Sequence, residues 1–582
     1  MTKISIPETT GFHPAWRPAA TLGALALLAA CGGGDDGGGS QSPVLPQLSA
    51  ASPGTLQQCE ALAGQALANT AITAATSVAA GTLAVAGQPV GAHCRVTGRM
   101  YDRMSPVDGQ RYAIGFEMRL PQNWNGRFFH QVNGGTDGNI GTAAGGIGGG
   151  GALSNGLQQG FAVISSDAGH SGAQNPLFGL DPQARLDYGY QAVGKLTPMA
   201  KSMIAAAYGR GPDRSYLVGC SNGGRHAMVG ASRYADQYDG ILAGNPGFNL
   251  PKAAVAQLYG AQQLNTVATD PADLSSSFTL PERALVASKV LEKCDALDGA
   301  TDGLVQDVAA CKTSFSLDRD VPSCTGARNG SCLSTAQKTA VGNIFRGARN
   351  SGGTPLYASF PFDAGITSSN WAGWKFSSSI GNARDPVAVG FIFQTPPADP
   401  GIINDTKSFA LNFNMDTDAP KIGATNAVYT ESSLSFMTPP NPTQLTTLRE
   451  RGAKMMVYHG VSDGVFSPDD TTAWYNGLSA SYRGDASAFA RLYLVPGMNH
   501  CSGGPATDQF DMVTALVNWV EKGQAPDSVI ASARGAGNPG GANADVPASW
   551  SPARTRPLCA YPKVARYKGS GNVESAASFA CQ

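Results

Sequence analysis

The segment Ser215-Tyr-Leu-Val-Gly219-Cys220-Ser221-Asn222-Gly223-Gly224 decides how this chain is read. Ser215–Val218 is short, apolar and β-prone, which predicts a buried strand, and a helix is expected from about Gly223 to Tyr234. Between them stands G-x-S-x-G. Small residues two before and two after Ser221 permit a tight, strained turn that lifts the serine hydroxyl off the end of a sheet. With 73 glycines in 582 residues the five-residue pattern also arises by chance, and a plain strand-to-helix turn is the bland alternative. The strand before it and the helix after it favour a nucleophile.

Outward from this point the same rhythm repeats. Tyr112–Leu120, Arg127–Val132, Phe161–Ser165, Lys454–His459 and Arg491–Val495 read as strands, and Lys195–Tyr208 and Asp508–Lys522 as helices. Such alternation predicts an α/β fold with a mostly parallel sheet and helices on both faces. From about Phe248 to Leu445 the rhythm fails, in a stretch with four cysteines, Trp371, Trp374 and many Gly, Ser and Pro residues. The expected organisation is therefore an α/β unit over 51–247 and 446–582, split by an inserted domain at 248–445. The tract Gly134–Gly151 contains a GxGxxG match at Gly146, Gly148 and Gly151, but it lacks the preceding strand and following acidic residue of a dinucleotide site. No Lys lies between Lys3 and Lys195 to complete a P-loop.

Composition fixes the compartment. Lys plus Arg (41) nearly cancels Asp plus Glu (42), and no basic run interleaves with aromatics, which argues against a nucleic-acid partner. Charged residues make up 14%, against about 25% in typical chains, while glycine is about twice its usual level. No run reaches the roughly 18 apolar residues of a spanning helix. Lys3 and Arg17 precede the apolar stretch Ala19–Ala30, a signal-peptide pattern over 1–30 that closes as Leu28-Ala-Ala-Cys31. This resembles a bacterial lipoprotein signal with Cys31 lipidated; an ordinary secretory signal is the alternative. A Gly/Ser/Pro-rich tether follows over 31–50. The expected location is exported, held at the outer membrane by the lipid, in the periplasm or outside. Without Cys31 ten cysteines remain, an even number that implies five disulfides in an exported chain. Spacing alone does not fix their connectivity. The sequence-near pairs, Cys59–Cys94, Cys294–Cys311, Cys324–Cys332 and Cys559–Cys581, leave Cys220 and Cys501. No CxxC pair or His/Cys cluster suggests zinc.

A serine nucleophile needs a base, and seven histidines are available. His13 lies in the signal, His93 beside a candidate disulfide, and His130 within a strand. His226 follows Ser221 too closely to fold back, and His170 precedes it, against the order Ser, acid, His. His459 reads as a strand-end residue. His500 follows the strand Arg491–Val495 in the loop Pro496-Gly-Met-Asn-His, and Asp463 follows Lys454–His459 in His-Gly-Val-Ser-Asp-Gly. The expected triad is Ser221, Asp463 and His500, while Asp469 and Asp470 read as first-turn helix residues after Ser467-Pro468. Cys220 adjoins the nucleophile and Cys501 the base, so a formed triad brings the two unassigned thiols together. Oxyanion donors are expected at the Asn222 amide and in the loop Asn133-Gly134-Gly135-Thr136.

Gly-Cys-Ser-Asn-Gly-Gly, the Asp463 loop and Pro-Gly-Met-Asn-His-Cys-Ser-Gly-Gly together resemble the tannase/feruloyl esterase family. Trp-Asn-Gly-Arg-Phe-Phe, Gly-Leu-Asp-Pro-Gln-Ala-Arg-Leu-Asp and Ala-Arg-Thr-Arg-Pro-Leu-Cys extend the similarity from about Cys59 to Cys581. The resemblance implies an α/β-hydrolase core with a lid over 248–445, all five cysteine pairings above, and Gly135 as the second oxyanion donor. It implies a serine carboxylesterase that cleaves aromatic acid esters of terephthalate or hydroxycinnamate type through an acyl-enzyme. The rivals are a feruloyl or galloyl (tannase-type) esterase and a non-catalytic aromatic-binding surface lipoprotein.

The run Cys294-Asp295-Ala-Leu-Asp298-Gly-Ala300-Thr-Asp302-Gly-Leu304 carries three carboxylates that either wrap a hard cation or form a solvated acidic loop. The resemblance favours a structural calcium on the Asp295, Asp298 and Asp302 side chains and the Ala300 and Leu304 carbonyls, with no organic cofactor. Two departures concern substrate. Asn222 stands where terephthalate-cleaving members carry an acidic residue, and the lid between Trp374 and Pro396 is shorter, with no clear counterpart of their carboxylate-binding arginine. Only Lys375 and Arg384 offer cationic charge there. Gly134, Trp374, Lys375, Arg384 and Phe466 are the candidate substrate contacts. The expectation is a monomer that accepts neutral esters as well as, or better than, free-acid monoesters.

Overall fold

Nine strands build the central sheet: β1 (Thr70–Val78), β2 (His93–Met104), β3 (Arg111–Pro121), β4 (Arg127–Gln131), β5 (Ala162–Ser166), β6 (Arg214–Cys220), β7 (Gly240–Gly244), β8 (Lys454–Gly460) and β9 (Ala490–Val495). The computed structural model describes residues 45–382 and 384–582, so the signal, Cys31 and most of the tether lie outside the described residues. The order across the sheet is β9-β8-β7-β6-β4-β5-β3-β2-β1. From β9 to β5 all neighbours are parallel, and from β5 through β3 and β2 to β1 they are antiparallel.

Alternation along the buried strands assigns the two faces. Leu217, Ile241 and Val457 pack with α1 (Ala192–Tyr208), α2 (Asn222–Arg233) and Trp474 of a later helix. Tyr216, Val218, Leu242 and Met456 face the other way, against Met512, Leu516 and Trp519. Helices therefore cover both faces. β5, β7 and β8 are buried along their whole length and β6 along its centre, so these parallel strands read as mostly apolar runs.

Between β7 and β8 the chain carries α3 (Leu250–Asn265), α4 (Leu280–Cys294), α5 (Thr335–Arg346) and shorter helical turns and, among the described residues, no strand of the central sheet. Its apolar side chains join clusters with the rest: Val389, Phe391 and Phe436 pack with Tyr112, Tyr188 and Phe466. Leu45–Gln582 form one compact unit. After β8 come α6 (Pro468–Ser481) and α7 (Met512–Lys522). Ser467 caps α6 by accepting from the Asp469 and Asp470 amides, with Pro468 in the first turn, as the sequence suggested.

Three differences have local causes. The antiparallel margin β1–β2 was not anticipated, because its side chains alternate between buried Val96 and Met100 and solvent-facing Arg95 and Arg99, and β1 consists largely of Ala and Thr. The glycine-bounded β7 is only five residues long. The last helix begins at Met512 rather than Asp508. Asp508 is buried in an ion pair with Arg534 (2.6 Å), and Asp511 caps the helix by accepting from the Thr514 amide.

Candidate active site

The nucleophile loop is built by exclusion of side chains. A Cβ on Gly219 would stand 2.6 Å from the Val132 carbonyl oxygen, and one on Gly223 2.3 Å from the same atom. Both glycines of G-x-S-x-G are therefore required by close packing of β6 and α2 on the end of β4. Ser221 itself sits at φ 68, ψ −126, a conformation that side chains rarely adopt and that costs about 1–3 kcal/mol. Its amide donates to the Gly244 carbonyl (2.9 Å), which ties the turn to β7.

His500 Nε2 lies 2.8 Å from Ser221 Oγ, and His500 Nδ1 lies 2.8 Å from Asp463 Oδ2. The three residues come from the loops after β9, β6 and β8, at the carboxyl ends of strands in the parallel part of the sheet. Asp463 is buried and densely hydrogen-bonded. Its Oδ1 accepts from the Val465 and Phe466 amides (2.8 and 3.1 Å), and its Oδ2 accepts from Asn245 Nδ2 (2.8 Å). His459 Nε2 approaches the same Oδ2 at 3.2 Å. Burial alone would raise this carboxyl. The charge of His500 and the hydrogen bonds from His459 and His500 outweigh it and hold the group well below the usual carboxylate range. His459 is thus a strand-end residue, as expected, but one that also supports the acid. Asn245 escaped sequence reading; the one signal was a turn, Gly-Asn-Pro-Gly, directly after a buried strand.

The Cys220–Cys501 disulfide closes beside this triad with a Cα–Cα distance of 6.1 Å, and the four sequence-near pairs are also bonded. Gly135 has φ +66, and a Cβ added at Gly134 would lie in van der Waals contact with Ser221 Cβ, at 3.6 Å. Among the described residues neither the Gly135 nor the Asn222 amide donates to a protein acceptor. Two unspent N–H groups thus flank the serine. The side chains beyond them hold this arrangement. Asn222 Nδ2 donates to Asp137 Oδ2 (2.8 Å), Arg225 Nε donates to Asn222 Oδ1 (2.7 Å), and the Tyr188 hydroxyl donates to the Gly135 carbonyl (3.2 Å).

Of the candidate substrate contacts, Trp374 and Phe466 each stand edge-on to the His500 ring at 5.2 Å between centroids. The Arg384 guanidinium lies over both rings, 4.5 Å from the Trp374 centroid and 5.3 Å from that of Phe466. Its Nη1 is 3.4 Å from Asp385 Oδ1 and makes no hydrogen bond. Lys375 is placed differently. It is buried against Phe360 (4.4 Å) and Gln257 Oε1 (3.3 Å), lining a small cleft with Ser462 and Asp463. An arginine therefore does reach the rim of the site, and it is Arg384 rather than Lys375.

Asp295, Asp298 and Asp302 are all buried. Asp295 is spent on the Asp302 and Gly303 amides, and Asp302 pairs with Arg556. Asp298 Oδ2 is buried without a partner, and burial together with the charges of Asp302 and Asp295 pushes its carboxyl up to about 7. The Ala300 and Leu304 carbonyls accept no hydrogen bond among the described residues. An orphaned carboxylate oxygen and two free carbonyls suit an oxygen-seeking cation. Among the described residues no three acidic, His or Cys side chains are grouped so as to hold a metal ion by themselves.

A mostly parallel sheet, a strained serine between strand and helix, and an Asp–His pair from the loops after β8 and β9 define the α/β-hydrolase class of ester-cleaving enzymes. A family model described as Tannase and feruloyl esterase matches residues 94–582, and the chain belongs to that family. It is 41% identical over 527 residues, 84% of each chain, to the mono(2-hydroxyethyl) terephthalate hydrolase of Piscinibacter sakaiensis. It is 27% identical to a probable feruloyl esterase B-1 of Neosartorya fischeri, over 80% of this chain and 82% of that one. The crystal structure of feruloyl esterase B from Aspergillus oryzae superposes with a TM-score of 0.71 at 24% identity, covering 90% of this chain and 99% of that one.

Proposed function

We propose that this protein is a serine carboxylesterase of aromatic acid esters. The observation that carries the reading is the continuous hydrogen-bond line from Ser221 Oγ through His500 to Asp463. Ser221 Oγ attacks the ester carbonyl as His500 Nε2 takes its proton, and Asp463 keeps the imidazole oriented and stabilises the imidazolium. The Gly135 and Asn222 amides receive the oxyanion. His500 then returns the proton to the departing alcohol oxygen, and water repeats the sequence on the acyl-enzyme. Trp374 and Phe466 supply flat apolar surface beside the reacting carbonyl, which suits an aromatic acyl group. Arg384 over these rings favours an acyl group with a second, anionic substituent. This reverses the charge preference expected from the lid's length, and a terephthalate-type monoester fits it better than a neutral hydroxycinnamate. The chemistry agrees with what the names of its relatives describe.

The loop Asp295–Leu304 would hold a calcium ion through its three aspartates and the Ala300 and Leu304 carbonyls; the ion would supply countercharge to buried carboxylates and takes no part in the reaction. Five disulfides suit an exported protein, and attachment through Cys31 fits the leader.

An active-site serine probe tests the central claim. Stoichiometric labelling that disappears in Ser221→Ala, with turnover falling by a factor of about 10⁴ or more in Ser221→Ala and His500→Ala, is expected. Retention of a tenth of the activity in either variant would remove the triad. A folded protein that binds aromatic acids but is never labelled would support the binding-only alternative.

A further inference from the structure

Lys375 is a buried cation with no part in the proton transfers between Ser221 and His500. It is 4% exposed, and its ammonium makes one hydrogen bond among the described residues, to Gln257 Oε1 at 3.3 Å. Its Nζ also lies over the Phe360 ring, 4.4 Å from the centroid. An ammonium taken out of water with so little in exchange is costly, and that cost points to a role. Substrate binding is not that role, because the cleft that Lys375 lines measures about 10 Å³, far below the roughly 300 Å³ of a small-molecule site. Of its lining residues only Lys375 and Asp463 are charged; the others are Ser462 and apolar or aromatic side chains.

We propose that Lys375 is a positioning residue for the catalytic acid: it fixes the loop 463–465 through the Gln257 amide, and its charge disfavours protonation of the resting His500 imidazole. The inference rests on the serine-esterase reading and adds a residue of the inserted stretch to its machinery.

The hydrogen bonds form one line. Gln257 lies on α3, is buried, and donates from Nε2 to the carbonyls of Gly464 (3.3 Å) and Val465 (3.0 Å). The Val465 amide donates in turn to Asp463 Oδ1 (2.8 Å). A carboxamide carries its donors and its acceptor on different atoms. With two carbonyls on one side and an ammonium on the other, one orientation of Gln257 satisfies both, and Lys375 selects it. Trp374, the preceding residue, stands edge-on to the His500 ring. Consecutive side chains thus reach the base and the loop of the acid.

Charge acts along the same path. Burial pulls the Lys375 ammonium down to about 8, against the carboxylates of Asp463 and Asp385, which favour its charged form. It therefore carries its charge at neutral pH. A positive charge across an apolar cleft from Asp463 opposes a further positive charge on His500, so it lowers the pH at which the base becomes free. Other ionisable groups surround this centre: Asp385 and Arg384 near Trp374, Asp363 bonded to Ser462 Oγ, Arg283 over Trp371, His459 on Asp463, and Asp470 with Tyr357 beyond it. All are retained when residue 375 is replaced, so the difference between wild type and variant reports Lys375.

Lys375→Met keeps the length of the side chain and removes the ammonium. Rates for a free-acid aromatic monoester and its neutral diester are measured from about pH 5 to about pH 9, with active-site titration and melting curves. At neutral pH kcat should fall about 10-fold for both esters alike, with KM within about twofold. The acid limb of kcat/KM should move up by about half a pH unit or more. The melting temperature should hold or rise, because an apolar chain replaces a poorly paired buried charge. Gln257→Leu should lose kcat to a similar extent with the acid limb unmoved, and the double variant should lose no more than about twofold beyond Lys375→Met. An unmoved acid limb in Lys375→Met would overturn the proposal, and with a lowered melting temperature it would mark a structural role. A loss confined to the free acid would make Lys375 a substrate contact and overturn it as well. A folded Gln257→Leu with wild-type kcat would overturn it without reference to Lys375→Met. If Ser221→Ala still turns over, the serine reading fails instead, which is a separate result.

Discussion

Ser221 is held in a strained conformation between Gly219 and Gly223, each forced small by the Val132 carbonyl. That strain is what keeps the hydroxyl at the end of the sheet, within 2.8 Å of His500 Nε2. Recognition of the acyl group depends on another single residue. Arg384 is mostly buried over Trp374 and Phe466, and its Nη1 stands 3.4 Å from Asp385 without a hydrogen bond; burial raises the Asp385 carboxyl to about 6 despite the positive charges of Arg384 and Lys375. An incoming carboxylate would meet a guanidinium with donor capacity to spare. A charge-assisted pair is worth about 1.5–3 kcal/mol, or roughly 10–100-fold in binding. Arg384→Ala should therefore lower kcat/KM by that factor for a free-acid terephthalate monoester and change that for its neutral diester by less than about threefold. Comparing the two substrates in wild type and variant decides the point, and an equal effect on both would remove Arg384 from acyl recognition.

At the level of elements, the site is an assembly of loops from parallel strands, and the Cys220–Cys501 bridge ties two of them together across 281 residues. Closing so long a loop removes roughly 5 kcal/mol of chain entropy from the unfolded state, but its position matters more than its size. Cys501→Ala should depress kcat by about tenfold or more, because it frees the loops that carry Ser221 and His500. Cys559→Ala, in a bridge remote from the triad, should lower thermal stability with kcat nearly unchanged. Equal losses of kcat would show that the bridge does not serve the site. Much of this assembly was legible in the chain. Strands buried on both faces announce themselves as apolar runs, and the two cysteines left without near neighbours pointed to the same juncture as Ser221 and His500. The half-exposed β2, whose pattern alternates, and the five-residue β7 carry too little signal. Asn245, which supports Asp463, and the inward turn of Arg384 depend on loop paths that no local pattern encodes.

For the whole molecule, the acidic loop is a junction between the stretch before β8 and the C-terminal segment. Asp302 pairs with Arg556, and Arg554 donates to the Asp302 carbonyl (2.6 Å), so residues more than 250 positions apart meet there. One carboxylate in this junction, Asp298, has an oxygen that no protein group satisfies. Without a cation, burial and then the neighbouring aspartates raise its carboxyl to about 7 from a usual value of 3.8. A folded-state value above the unfolded one means that the protonated group fits the fold, so its contribution is complete below about pH 4 and is lost as pH rises through about 7. Metal-free protein should therefore lose melting temperature between pH 4 and pH 7. Calcium binds the ionised form, and a ligand of the folded state alone stabilises by mass action. Added calcium should restore the loss at pH 7 and do little at pH 4, where protons compete for the same oxygens. Asp298→Asn should flatten the pH dependence of the metal-free protein and abolish the response to calcium and to chelator, while leaving the Ser221 chemistry intact. Melting curves at the two pH values, with chelator and with calcium, measure all of this at once. A melting temperature insensitive to calcium at pH 7, together with metal analysis that finds none in untreated protein, would leave Asp298 as a buried neutral acid and remove the ion from the account.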